Sequence, residues 1–199
     1  MVNRMTAAKK LQLVSVEDYL EGELNSPIKH EFLGGNVYAM AGAKNLHNRI
    51  AVNIVARLHY RLQGKPCQPW NSDTKVHIRY PTYDKFYYPD AFVVCEPNPE
   101  DDSYQDRPVV ICEVLSRKTR RIDEVEKKEA YLTIPSLQLY ALVEQETARI
   151  TAFRRTETGF VGEVHEGLEA VLPLEGIDVE LPLAEIYGGL QLVPEPEAE

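Results

Sequence analysis

"VVICEVLSRKTRRIDEVEKKEAYLTIPSLQLYALV", residues 109–143, holds the topology of the chain. Its two ends, "VVICEVL" and "LQLYALV", are dense in β-branched and aliphatic residues and read as strands buried on both faces. Between them, "RRIDEVEKKEAYLT" reads as a helix that is polar over most of its surface. Ile122, Val125, Glu129 and Leu132 lie along one line of it, and Pro135 ends it. A strand, a helix and a strand in that order predict a right-handed parallel crossover. The anomaly is Glu113, a carboxylate inside the first apolar run. Burying an ionised carboxylate is costly unless it is paired, hydrogen-bonded or coordinated to a cation. A second apolar run, "YYPDAFVVC" at 87–95, carries Asp90 in the same way.

Outward from this unit, "SVEDYLEGEL" reads as a short helix capped by Ser15, with Asp18 three residues on. "KHEFLGGNVYAM" is a hairpin around Gly34, Gly35 and Asn36. From Leu46 to Gln63, Ile50, Ile54, Leu58 and Leu62 recur at i, i+4 spacing, which predicts an amphipathic helix stopped by Gly64 and Pro66. "CQPWNS", "TKVHIRY" and "FYYPDAFVVC" are strand-like, and the polar "EPNPEDDSYQDRP" is a loop. "RITAFRRTETGFVGEVHEG" is a second hairpin closed by Gly159, and "GIDVELPLAEIYGGL" ends the fold with a strand and a helical turn. The expected class is α/β: a mixed sheet with helices on its faces, in one domain over 1–190. Residues 191–199 form an acidic tail expected to be disordered.

At 199 residues the chain can bury a substantial core without disulfides or structural metals. No apolar window is long enough for a membrane helix, and the N-terminus lacks a secretory apolar region. Three cysteines, an odd number with no CxxC spacing, predict reduced thiols in a cytoplasmic protein and no zinc site. The formal net charge of -9 argues against a broadly basic nucleic-acid binder. It leaves room for an enzyme that bridges phosphate to carboxylates through a divalent cation.

Pro89-Asp90, followed by Glu113-Val114-Leu115 on the next strand, resembles the PD-(D/E)XK nuclease signature. The whole string from 113 to 143 resembles one branch of it, the Uma-type family of restriction endonucleases, which was defined largely from sequence and structure. The resemblance also runs through "SVEDYL", "HEFLGGNVYAMAG", His47 at a helix start, "SDTKV", "YYPDAFVV" and "LPLAEIYGG", so it covers most of the chain. It implies a restriction-endonuclease-like core of helix, three strands, helix and strand, with β-hairpin additions at both ends. It also implies a Mg²⁺-dependent endonuclease acting on DNA, with Mn²⁺ as a substitute ion and a homodimer as the working form.

On that resemblance, Asp90 and Glu113 hold the ion together with the Val114 backbone carbonyl, an oxygen donor set that suits a hard cation. The general signature places a lysine two residues after the second acid, where this chain has Leu115. The resemblance moves that lysine to the following helix, at Lys127. Tyr131 shares its face at i+4 and Asp123 at i−4, while the competitor Lys128 lies about 100° round the helix. His47, Glu31 and Tyr131 are the candidate supporting residues.

Each residue also has a plainer reading. Asp90 is a turn cap after Pro89, Glu113 a buried partner of Arg117 or Arg120, and Lys127 a solvated helix residue. His47 is a helix-start histidine, Glu31 a strand partner of Lys29 or an arginine, and Asp73 a turn residue. The tyrosines from Tyr80 to Tyr88 fit strand packing as well as base stacking. Ser116 lacks the glycines of a nucleophile elbow. The alternatives to a nuclease are a non-catalytic module of the same fold that binds nucleic acid or a protein partner, and a hydrolase of some small phosphodiester.

Overall fold

A computed structural model describes residues 13–192. The N-terminal leader reading and most of the acidic-tail reading lie outside those residues. In chain order, α1 (Val16–Leu24) is followed by β1 (His30–Leu33) and β2 (Asn36–Ala39), then α2 (Asn45–Leu62). Next come β3 (Gln68–Asn71), β4 (Lys75–Arg79), β5 (Asp84–Tyr87), β6 (Ala91–Val94), β7 (Tyr104–Gln105) and β8 (Pro108–Val114). A π-helical segment (Ile122–Lys127) runs into α3 (Lys128–Tyr131) and leads to β9 (Leu139–Val143). The hairpin β10 (Arg149–Thr156) and β11 (Gly159–Glu166) follows. The ribbon β12 (Val171–Leu174) and β13 (Val179–Pro182) and the turn of α4 (Leu183–Ile186) come last.

The expected single mixed sheet is two sheets. One has the order β2-β1-β5-β4-β7, the other β11-β10-β9-β8-β6-β3, and β12 with β13 forms a separate ribbon. The division falls inside the run that reads as one strand, "FYYPDAFVVC". Its first half, β5, pairs with β1 and β4, and its second half, β6, pairs with β3 and β8. Pro89 stands between the halves, and without an N–H it cannot donate to a ladder. Asp90 is therefore at the corner where the chain changes sheets. The crossover from β8 to β9 is parallel, as the sequence predicts, with Glu113 opposite Leu142.

α2 buries Ile50, Ile54, Leu58 and Leu62 against one face of the six-stranded sheet, where Val110, Cys112 and Val114 of β8 meet it. Truncating one of these leucines or isoleucines to alanine would cost about 2–5 kcal/mol. The other face packs Phe92, Ile111 and Tyr140 against Ala130 and Tyr131. Alternation along β8 decides the rest. With Cys112 and Val114 facing α2, Glu113 faces the helix that follows the strand.

That helix differs from its sequence reading. Its first half is π-helical, and the line expected to be its apolar face points outward, with Ile122 at 37% and Val125 at 44% exposure. Asp123 and Lys127 are buried instead.

The cysteine expectation is also corrected. Cys67 and Cys95 form a disulfide, and only Cys112, buried, is free among the described residues. β3 and β6 pair antiparallel with Gln68 opposite Val94, so Cys67 and Cys95 are the next pair along. The bridge removes the cysteine argument for a cytoplasmic setting.

Candidate active site

The corner at Asp90 and the end of β8 are stitched to each other. Asp90 Oδ2 accepts the Val114 N–H at 2.7 Å, and Glu113 Oε2 accepts the Asp90 N–H at 3.3 Å. His47, in the first turn of α2, places Nε2 3.1 Å from the same Asp90 oxygen. It reaches that position because it lies three residues before Ile50, on the face that α2 turns to the sheet. Asp90 Oδ1 accepts from no described group.

Lys127 closes the cluster from the helix. Its Nζ lies 3.1 Å from Glu31 Oε1, 3.3 Å from Glu113 Oε1 and 3.5 Å from Asp123 Oδ1. Tyr131 donates its hydroxyl to Glu113 Oε1 at 3.0 Å. Asp123, Lys127 and Tyr131 follow one another at i, i+4 spacing through the π-helical segment and α3, so they project from one face. The Lys127 ammonium also lies over the Tyr87 ring, 5.6 Å from its centre. Lys128 is turned away and lies over Phe153.

The plainer pairings give way at several positions. Arg120 binds Glu144 and Glu124, and Arg117 binds Glu146, so neither serves Glu113. Lys29 pairs with Asp73 rather than Glu31. All the residues singled out from sequence, Glu31, His47, Asp90, Glu113, Lys127 and Tyr131, stand in one cluster, with Val114 bonded into it through its N–H. Asp123 belongs to it too. Its i, i+4 relation to Lys127 was the available signal, but apolar periodicity had placed that face in solvent.

Three carboxylates, from Glu31, Glu113 and Asp123, thus surround one buried ammonium, and a fourth, Asp90, joins the cluster through Glu113 and His47. Burial raises the Glu113 carboxyl well above its ordinary range; Asp90, Asp123 and Glu31 add to the rise, and Lys127 opposes it. Burial likewise raises Asp123. For Lys127, burial disfavours the charge, but Glu113, Glu31 and Asp123 outweigh it and hold the ammonium protonated. His47 is raised as well: burial opposes its charge, and the bond to Asp90 and that residue's charge prevail.

An excess of buried negative charge must be relieved by protons or by a cation. The described residues include no ready group of three His, Cys, Asp or Glu ligands. What they offer is an oxygen pair, Asp90 with Glu113, on the edge of a polar cluster. That donor set fits Mg²⁺, which binds through one or two carboxylates and keeps several waters.

The architecture is that of a nuclease-like α/β fold. The crystal structure described as that of "a putative nuclease" of Anabaena variabilis matches it with a TM-score of 0.65, covering 85% of this chain and 97% of that one. At 14% identity, this likeness concerns the fold alone.

The family Uma2, described as "Putative restriction endonuclease", matches residues 16–184, and the chain belongs to it. Two relatives from Synechocystis sp., both described as uncharacterized, agree in extent. The protein slr1290 is 30% identical over 178 residues, spanning 89% of this chain and 93% of its own length. The protein sll1609 is 29% identical over 154 residues, spanning 76% and 86% respectively. No helix among the described residues is long and apolar enough to cross a membrane.

Proposed function

We propose that this protein is a Mg²⁺-dependent endonuclease that hydrolyses DNA phosphodiester bonds. The observation that carries the reading is the placement of Lys127: a buried, protonated ammonium supplied by the helix to the carboxylates of one strand from each sheet, Glu31 of β1 and Glu113 of β8. Family membership supports a nuclease without naming metal or substrate. Asp90 and Glu113, with the Val114 carbonyl, would hold the cation. When bound, a hard divalent cation supplies Lewis acidity toward a phosphate oxygen and lowers the pKa of a coordinated water.

The chain's own residues set the rest. His47 and the Val114 N–H fix the Asp90 carboxylate. Tyr131 fixes Glu113. Glu31 and Asp123 hold the Lys127 ammonium in place. Because Lys127 stays protonated, its role is to donate hydrogen bonds to the attacking water or to charge developing on the phosphate. It does not remove a proton.

The test is incubation of purified protein with plasmid and with single-stranded DNA, in Mg²⁺, in Mn²⁺ and in chelator. Cleavage is expected with the cations and not with chelator, and it should vanish in Asp90→Ala and Glu113→Ala. Cleavage that survives either substitution removes the proposed site. Absence of cation binding by calorimetry would favour the second reading, a non-catalytic module, which Leu115 at the signature's lysine position supports. A homodimer working on both strands would appear in sedimentation velocity.

A further inference from the structure

A second polar site lies apart from the carboxylate cluster and shares none of its residues. It is a cavity of about 610 Å³ between α1, the β3–β4 turn and the loop that follows β6. That volume is in the range of small-molecule sites, about 300–1,000 Å³. Tyr88, two residues before Asp90, lines it, whereas its neighbour Tyr87 meets Lys127 in the cluster.

A ledger of donors and acceptors shows what the cavity lacks. Its carboxylates are largely occupied. Glu23 accepts from the Tyr88 hydroxyl at 2.8 Å and from the His30 N–H at 2.7 Å, with the His30 ring at 3.0 Å. Asp73 is held by Lys29 at 2.5 Å, and Asp102 accepts from Asn98. Glu100 stands at the exposed rim.

The unspent groups are donors. Lys75 is only 4% exposed, yet it makes no ion pair and no hydrogen bond among the described residues. Its ammonium has only the Tyr88 ring, 5.4 Å away. Gln105, 2% exposed, accepts the Asn98 N–H on its amide oxygen, and its amide nitrogen donates to no described group. The Trp70 indole N–H is buried without an acceptor. A buried, unpaired lysine is expensive to maintain; consistent with that, burial lowers its pKa, with Glu23 only partly opposing.

We propose that this cavity binds a small molecule bearing an oxyanion, a phosphate or a carboxylate, with Lys75 as the charge partner and Gln105 as a neutral donor. The ligand supplies the acceptors that the protein leaves out. Neither the catalytic reading nor the metal enters this assignment.

The chain's single tryptophan, Trp70, lies in the cavity wall and reports on it directly. Intrinsic fluorescence is titrated with inorganic phosphate, with acetate and with deoxyadenosine 5′-monophosphate, in chelator. A saturable change with at least one probe is expected, weakened tenfold or more in Lys75→Met and retained in Asp90→Ala. The probe with the highest affinity separates free phosphate, a carboxylate and a nucleotide as sources.

A second measurement uses only the unaltered chain and covers the case of a Lys75→Met protein that does not fold. The same probe should protect Lys75, and not the exposed Lys118, from reductive methylation read by mass spectrometry. No saturable change with any probe, equal affinity in a folded Lys75→Met, or no protection of Lys75 overturns the proposal. Loss of DNA cleavage in Asp90→Ala with anion binding intact keeps the two sites distinct.

Discussion

Asp90 and Glu113 are tied through each other's backbone: Glu113 accepts the Asp90 N–H, and Asp90 accepts the N–H of Val114, the residue after Glu113. Two carboxylates held side by side in this way repel each other, and the fold retains both. Asp90→Asn keeps an acceptor for the Val114 N–H and removes one charge from the cluster. In chelator, this variant is expected to match or exceed the parent in thermal stability. Adding Mg²⁺ should raise the melting temperature of the parent and not that of the variant, because only a ligand of the native state stabilises it. Differential scanning fluorimetry reads both. An equal Mg²⁺ response in the two proteins would place the cation elsewhere.

Lys127 and Lys128 form an internal control. Removing the Lys127 ammonium leaves Glu31, Glu113 and Asp123 without their shared counter-charge. Breaking a buried pair in this way costs about 3–5 kcal/mol. Loss of one preorganised donor at a reacting centre lowers kcat by roughly 10²–10³. Lys127→Met should therefore be both less stable in urea and deficient in cleavage. Lys128→Met loses a contact over the Phe153 ring and should change stability by less than about 1 kcal/mol. Cleavage rates that fall equally in both variants would show that Lys127 has no special role.

The contrast between these two lysines also shows what sequence can carry. The buried face of α2 was legible because Ile50, Ile54, Leu58 and Leu62 are apolar and repeat with the helix. The helix after β8 inverts that rule: it buries Asp123 and Lys127 and exposes Ile122 and Val125. Apolar periodicity points away from such a face, since pairing across elements, not hydrophobicity, makes its burial tolerable. Only the family resemblance singled out Lys127. The split between β5 and β6 had a local sign in Pro89, but which sheet each half joins depends on partners far along the chain.

The Cys67–Cys95 bridge had no local sign at all, because it depends on the register of β3 against β6. A link across 28 residues of sequence restrains the unfolded chain. The loop-entropy argument puts its contribution at about 3–4 kcal/mol. Cys67→Ser, or reduction of the parent, is expected to lower unfolding free energy by that order. Peptide mapping without reductant should recover the linked pair, and Cys112 should stay unlabelled by a thiol reagent until the protein unfolds, since burial raises its pKa to about 12. Recovery of unlinked Cys67 and Cys95 peptides from freshly purified protein would overturn the bridge.

His77 gives the fold a pH dependence separate from the cluster. Its ring stacks on Phe86 at 4.2 Å and meets the edge of Tyr104 at 5.1 Å. Nε2 lies 2.7 Å from Asp84 Oδ1, which suits a neutral ring donating from that nitrogen, while Nδ1 is buried without a partner. Protonation would add an N–H at Nδ1 with nothing to accept it. Burial accordingly lowers the His77 pKa, even though the bond to Asp84 pulls the other way. A lowered histidine favours the native state fully above the unfolded pKa of about 6.5, and that contribution falls away as pH drops through the folded value. The His77 contribution should therefore decline on acidification below about pH 6.5, with a slope of at most about 1.4 kcal/mol per pH unit, opposite in sign to that of the raised groups of the cluster. In His77→Phe, which keeps the stacking and cannot be protonated, urea unfolding at a series of pH values from neutral to mildly acidic should show a flatter decline than the parent. Parallel declines in the two proteins would mean that His77 titrates alike in the folded and unfolded chain.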